Sequence, residues 1–268
     1  MSRVITALIF LPVLVASIWF KPLEPVFVVL AAAAMVIGVY EFYHLARRRE
    51  MQPDVMIGMS FAVGVIAVFY IRELDLLLVV LPAFVIATLI AAVLRGAPFD
   101  KMLASAGATV LGVMYVALLG GFLISVRTGF TQPRAAQLLS FFFLVLMGSD
   151  IAAYYTGRSL GKHKLAPAIS PGKTWEGAVG GMAASLLAAV VAHFWFFPEL
   201  KLAAALPLAG LMNVLGVVGD LTESALKRGA GAKDAANILP GHGGLLDRLD
   251  SLLFNAPVIY YFAQLYFK

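Results

Sequence analysis

Between Ser224 and Asp250 the chain reads SALKRGAGAKDAANILPGHGGLLDRLD. This run holds Lys227, Arg228, Lys233, Asp234, His242, Asp247, Arg248 and Asp250 beside six glycines and prolines, and it sits in a chain built largely of long apolar segments. Charged groups in such surroundings are expensive and mark chemistry. Both signs are present, and Asp247 and Asp250 are spaced i, i+3. That combination suits an anionic, phosphate-bearing substrate held through a divalent cation.

More acids lie near the ends of neighbouring apolar segments. Asp220 and Glu223 repeat the i, i+3 spacing, so they share a helical face that Ser224 and Lys227 continue. Asp150 closes an earlier segment. Three helices would thus bring carboxylates to one membrane depth, where an isolated carboxylate is costly or stays protonated. Two readings are open. Asp220, Asp247, Glu223, Asp250 and Asp150 share a cation, and hard oxygen donors without cysteine favour Mg²⁺ over zinc. Alternatively, the acids pair with Lys227, Arg228 or Arg248 as interfacial salt bridges.

A second polar stretch, Ser170-Pro-Gly-Lys-Thr-Trp-Glu-Gly177, stands just before an apolar segment. Its hydroxyls, backbone N–H groups and Lys173 suit phosphate. Gly172-Lys173-Thr174 mimics the end of a Walker A loop, but Pro167 occupies the place of its first glycine and no strand precedes it, so that reading is rejected. Thr174 or Ser170 is expected to cap the following helix, with Glu176 or Lys173 adjoining the site. Gly229, Gly231, Gly241, Gly243 and Gly244 make no dinucleotide fingerprint, since no βαβ unit is available. They let backbone approach phosphate or permit a tight re-entrant turn. His242 is the histidine of the motif; His44, His163 and His193 read as interface or packing residues.

The elements that must position these groups follow from composition. Of 268 residues, 62% are hydrophobic and 13% charged, against about 25% charged in soluble domains. The expected fold is all-α: a polytopic membrane protein with about nine transmembrane helices, near Val4–Phe20, Val26–Leu45, Val55–Ile71, Leu76–Leu94, Met102–Val126, Ala135–Tyr155, Gly177–Phe197, Leu202–Leu226 and Leu252–Phe267. The first is read as an uncleaved span rather than a signal peptide. The absence of cysteine excludes disulfides and thiolate metal sites. One membrane domain, 1–268, is expected, with 1–134 mostly scaffold and 135–268 carrying the catalytic site. Nine spans put the termini on opposite sides. Fourteen Lys and Arg lie on the N-terminal side and six on the other, so the N-terminus and the motif-bearing loops are expected in the cytoplasm and the C-terminus outside.

Ser-x-Leu-Lys-Arg, four residues, Lys-Asp, then Leu-Pro-x-His-Gly-Gly-x-x-Asp-Arg-x-Asp resembles the signature of the phosphatidate cytidylyltransferase (CDP-diacylglycerol synthase) family. About a dozen positions match in order, and Ser170–Gly177, Gly219–Ser224 and the chain length look like that family too. The resemblance implies transfer of CMP from CTP to phosphatidic acid in a cytoplasmic (inner) membrane, with pyrophosphate released. It raises Mg²⁺ above the salt-bridge alternative, with Asp220 and Asp247 the foremost ligands. Asp220, Asp247, Lys227, Arg228 and His242 are then candidate catalytic residues. Ser170, Lys173, Thr174, Glu176, Ser224, Lys233, Asp234, Gly243, Gly244 and Arg248 are candidate substrate contacts. The expected partners are CTP, phosphatidic acid and the lipid bilayer, with no nucleic acid. The Gly177-x-x-x-Gly181 stripe marks close helix contact, either within the chain or across a homodimer. Two rivals are another CTP-using lipid enzyme, such as a polyprenol kinase, and a cation-coupled transporter; the acids cluster at one membrane face, not at the midplane where transporter sites lie.

Overall fold

A computed structural model describes residues 2–96, 99–232 and 244–267, with side chains from Leu11 onward. The chain is a bundle of helices: α1 (Ser2–Trp19), α2 (Glu24–Arg47), α3 (Val55–Ile71), α4 (Leu77–Arg95), α5 (Met102–Gly112), α6 (Leu119–Gly129), α7 (Arg134–Leu160), α8 (Trp175–Trp195), α9 (Leu202–Gly229) and α10 (Leu246–Phe267). Each apolar segment expected from sequence corresponds to helix. The fifth is a single rod in which six residues of π-helix, Val113–Leu118, join α5 to α6. Among the described residues, six helical stretches are long and apolar enough to cross a membrane: Lys21–Arg47, Leu74–Arg95, Phe99–Gly129, Arg134–Leu160, Trp175–Trp195 and Leu202–Gly229. Val55–Ile71 is apolar but shorter.

Burial is distributed as a bilayer demands. Large apolar side chains such as Leu78, Leu94, Leu103, Leu187 and Leu265 face outward, where lipid replaces water as the neighbour. The packed interior centres on α7, whose Leu138, Leu139, Phe141, Phe142 and Val145 are fully buried. Some exposed aromatics lie toward helix ends, Trp19 and Trp195 at one end of the bundle and Tyr154, Tyr155 and Trp175 toward the other, the placement favoured by membrane–water interfaces.

Small residues set the closest approaches. A Cβ on Gly177 would lie 2.8 Å from the Ala153 carbonyl, and one on Gly181 2.9 Å from Ser149 Oγ. The glycine stripe is therefore used within the chain, seating α8 on α7. Gly219 does the same where α9 meets α10: a Cβ there would lie 2.5 Å from the Asp250 carbonyl.

The departure from an all-helical reading is a two-stranded antiparallel hairpin between α7 and α8. Strand β1 (Lys164–Ala166) pairs with β2 (Ser170–Thr174), with Lys164 opposite Thr174 and Ala166 opposite Ser170. Thr174 ends β2 and accepts the Gly177 N–H at 3.1 Å, capping α8. Of the two candidate caps, Thr174 is the one used, and Ser170 belongs to the strand.

Candidate functional site

The C-terminal end of α7, the hairpin, the N-terminal end of α8, the C-terminal part of α9 and the first turns of α10 enclose a cavity of about 690 Å³. That volume is typical of a small-molecule site. Asp150, Asp220, Asp247, Asp250, Ser170, Lys173 and Thr174 line it. Residues from both motif stretches, about fifty positions apart in sequence, therefore face one space.

The hairpin explains how Lys173 arrives there. β2 carries Lys173 across the mouth of the bundle, and its ammonium pairs with Asp220 Oδ2 on α9. Ser224, one turn further along α9, donates to Asp220 Oδ1 at 3.3 Å. Behind the cavity wall, Lys227 bridges two acids: Glu223 Oε2 at 2.5 Å and Asp247 Oδ1 at 2.8 Å. The Glu223 side chain is 1% exposed and Lys227 14%. The second Asp247 oxygen accepts the Gly244 N–H at 2.9 Å. Asp247 thus joins α9, α10 and the end of the glycine-rich loop.

Asp150 and Asp250 differ from these. Neither pairs directly with Lys173 or Lys227, and Asp220 lies within repelling range of both. Among the described residues no group of three or more acids or histidines is arranged to hold a metal ion. Lys173 pairs with one of these acids, Asp220, and Lys227 with two others, Glu223 and Asp247. The donor set still fits Mg²⁺, which is commonly held by one or two carboxylates together with substrate phosphates. Asp220 has both of these further carboxylates within electrostatic range.

Other candidates are used differently. Arg228 does not line the cavity; it donates to the carbonyls of Ile169 at 3.3 Å and Ala232 at 3.4 Å, tying the hairpin to the end of α9. Glu176 turns away and accepts from His163, from its backbone N–H at 3.2 Å and with its ring Nδ1 at 2.7 Å. It therefore holds the entry to the hairpin, and of the two readings of His163 its exposure fits an interface residue, here the partner in that lock. Lys233, Asp234, His242 and Gly243 lie outside the described residues.

Three contributions are not anticipated by the motifs. Asn213 on α9, buried in mid-span, donates to Ser149 Oγ on α7 at 2.6 Å, and both line the deep end of the cavity. A lone asparagine in an apolar span is the signal that would have found it. Arg49, just past α2, donates to the Gly229 carbonyl at the end of α9. Glu41 on α2, fully buried, accepts the backbone N–H groups of Leu245 at 2.9 Å and Leu246 at 2.7 Å.

The arrangement offers cations, hydroxyls and carboxylates at the end of a membrane bundle, beside an apolar wall of Ala153, Ala178 and Val217. It can neutralise a polyphosphate and leave a lipid's chains among helices. The sequence profile described as the Cytidylyltransferase family matches residues 1–266. The chain belongs to this family. A phosphatidate cytidylyltransferase of Pseudomonas aeruginosa is 37% identical over 265 residues, covering 96% of this chain and 94% of that one. A phosphatidate cytidylyltransferase of Brucella suis is 44% identical over 142 residues, half of each chain. The Escherichia coli protein named uncharacterized protein YnbB is 46% identical over 136 residues, 50% of this chain and 45% of that one. As a cytidylyltransferase family member the chain is an enzyme.

Proposed function

We propose that this cytidylyltransferase transfers CMP from CTP to phosphatidic acid, giving CDP-diacylglycerol and pyrophosphate. A phosphate oxygen of the lipid forms a bond to the α-phosphorus of CTP, and the bond from that phosphorus to the bridging oxygen of the β-phosphate breaks. The nucleophile needs no dedicated base, because a phosphate monoester with a second pKa near 6 is already largely dianionic at neutral pH. The obstacle is bringing two polyanions together. Bound Mg²⁺, held by Asp220 and Asp247 with Asp150 and Asp250 adjoining, would supply charge neutralisation for the triphosphate and the leaving pyrophosphate.

The chain's own groups do the rest. Lys173 carries a positive charge on the hairpin over the cavity, able to exchange its carboxylate partner for a phosphate oxygen. Ser170 and Thr174 add hydroxyls on the same strand. Lys227 keeps Asp247 ionised and oriented from behind, and Asn213 with Ser149 keeps the deep end polar. Arg248, Lys233, Asp234, His242, Gly243 and Gly244 complete the substrate contacts, His242 as donor or positioning group.

The observation that carries this reading is the meeting of Lys173–Asp220 and Asp247–Lys227 around one cavity at a single end of the bundle. We place that end at the cytoplasmic side of the inner membrane, N-terminus in and C-terminus out, on the bias of fourteen basic residues against six. That side is where CTP is found. The test is purified protein in detergent or liposomes with CTP, phosphatidic acid and Mg²⁺, assayed for pyrophosphate and CDP-lipid. Metal-dependent formation of both is expected, with loss in EDTA. Turnover that persists in EDTA refutes the metal, and absence of CDP-lipid under every metal refutes the reaction.

A further inference from the structure

Glu41 is an acid in the C-terminal third of a largely apolar helix, far in sequence from every motif, with no exposed surface. A carboxylate in that position is stabilised by a cation, by hydrogen bonds, or by protonation. No basic side chain pairs with it among the described residues. Its partners are instead two backbone N–H groups, Leu245 and Leu246, one received by each carboxylate oxygen. These are orphan donors at the start of α10, where the helix dipole also favours negative charge.

The position of those two amides gives the contact its meaning. Leu246 is the first residue of α10, Asp247 follows it, and Asp250 lies one turn on. Asp247 itself reaches back to the Gly244 N–H. The segment 244–247 is thus held by two carboxylates from opposite directions: Asp247 from inside α10 and Glu41 from α2. A helix N-terminus beside a phosphate site is ordinarily available to the anion. Here a protein carboxylate already occupies it, so these amides are committed to placing the helix and not to binding substrate.

We infer that Glu41 is a positioning residue for catalysis, fixing the start of α10 so that Asp247 and Asp250 face the cavity. This rests on the proposed cytidylyl transfer for its activity readout, but not for its structural one. Glu41→Gln preserves size while removing the charge, and it leaves one oxygen to accept where two accepted before. Misplacement of a catalytic group by about 1 Å costs up to roughly a hundredfold in rate. The expected outcome is a kcat lower by about tenfold to a hundredfold, with the KM for CTP within about threefold of wild type. Faster amide hydrogen exchange should be confined to the peptide spanning 244–250.

Wild-type kcat with unchanged exchange would overturn the inference. So would a raised KM at unchanged kcat, which would make Glu41 a determinant of affinity. Glu41→Asp retains the charge on a shorter arm; if both variants fail to insert and fold, the role is structural and the inference is again overturned. A wild-type protein that makes no CDP-lipid would refute the proposed reaction, while the exchange comparison between wild type and Glu41→Gln would still decide whether Glu41 holds α10.

Discussion

Removing Lys227 should strand two carboxylates at once. In the structure its ammonium lies 2.5 Å from Glu223 and 2.8 Å from Asp247, with exposures of 14% for Lys227, 1% for Glu223 and 16% for Asp247. Deleting one partner of a buried ion pair typically costs about 3–5 kcal/mol, because the remaining charge is left without compensation. Two acids share this lysine, which argues for the upper end. The cavity admits water to Asp247, which argues for a discount, so about 3 kcal/mol is the working figure for Lys227→Met. At about 2–4 °C per kcal/mol for chains of this size, the midpoint of thermal unfolding in detergent should fall by roughly 6–12 °C. CDP-lipid formation should fall at least about a hundredfold, since Asp247 loses the group that orients it. The second variant tests the cause. Adding Glu223→Gln removes one stranded charge, so Lys227→Met/Glu223→Gln should be more stable than Lys227→Met alone while staying inactive. A midpoint within about 2 °C of wild type for Lys227→Met, or a double variant no more stable than the single, would refute the buried-bridge reasoning.

Asp247→Asn and Asp220→Asn should each lower kcat by at least about two orders of magnitude with insertion intact; near-wild-type turnover in both would sink the cation-anchoring role. His242→Gln should retain measurable activity and lose clearly less than Asp247→Asn, since a dianionic phosphate needs no base; equal inactivation would demand a proton carrier. Cysteines introduced at Lys162 and Lys201 should differ in intact cells, with an impermeant thiol reagent labelling only the Lys201 site; the opposite pattern would invert the topology and remove the route for CTP. Gly181→Val should destabilise the bundle, because a Cβ there already meets Ser149 Oγ at 2.9 Å; an unchanged unfolding midpoint would contradict the tight α7–α8 contact.

The helices were legible because a bilayer imposes length and apolarity together. Val55–Ile71 matches α3 residue for residue, and the cap at Thr174 follows from a hydroxyl just ahead of an apolar run. The acids of the site were legible because a charge at membrane depth is too costly to persist without a partner or a task. What escaped depends on non-local pairing. The hairpin has strands of three and five residues, too short for alternation to register, and Ser-Pro-Gly-Lys reads as loop. Its pairing is nevertheless what carries Lys173 to Asp220. Glu176 reads as a substrate contact and Arg228 as a catalytic residue, and residue type alone does not reveal their backbone partners, the His163 N–H and the Ile169 carbonyl. The π-helical rod leaves no signature in VMYVAL, whose residues suit an α-helix equally well. Glu41 is visible as an oddity in its span, but its partners lie some two hundred positions away, and no local pattern reports that distance.

The candidate chemistry read from sequence lies almost wholly in the last four apolar spans and their loops, and the first five carry little of it. The contacts of α2 cut across that division. Arg49 holds the carbonyl of Gly229 and Glu41 holds the amides of Leu245 and Leu246, so the two ends of the glycine-rich segment are fastened to α2 and the turn that follows it. Severing the polypeptide between α6 and α7, or exchanging its first six helices for those of a relative, would leave every motif residue in place. It would nonetheless remove the splint against which the start of α10 and the end of α9 are set. Chimaeras of this protein should therefore carry α2 along with the C-terminal part, whatever join the hydropathy profile suggests.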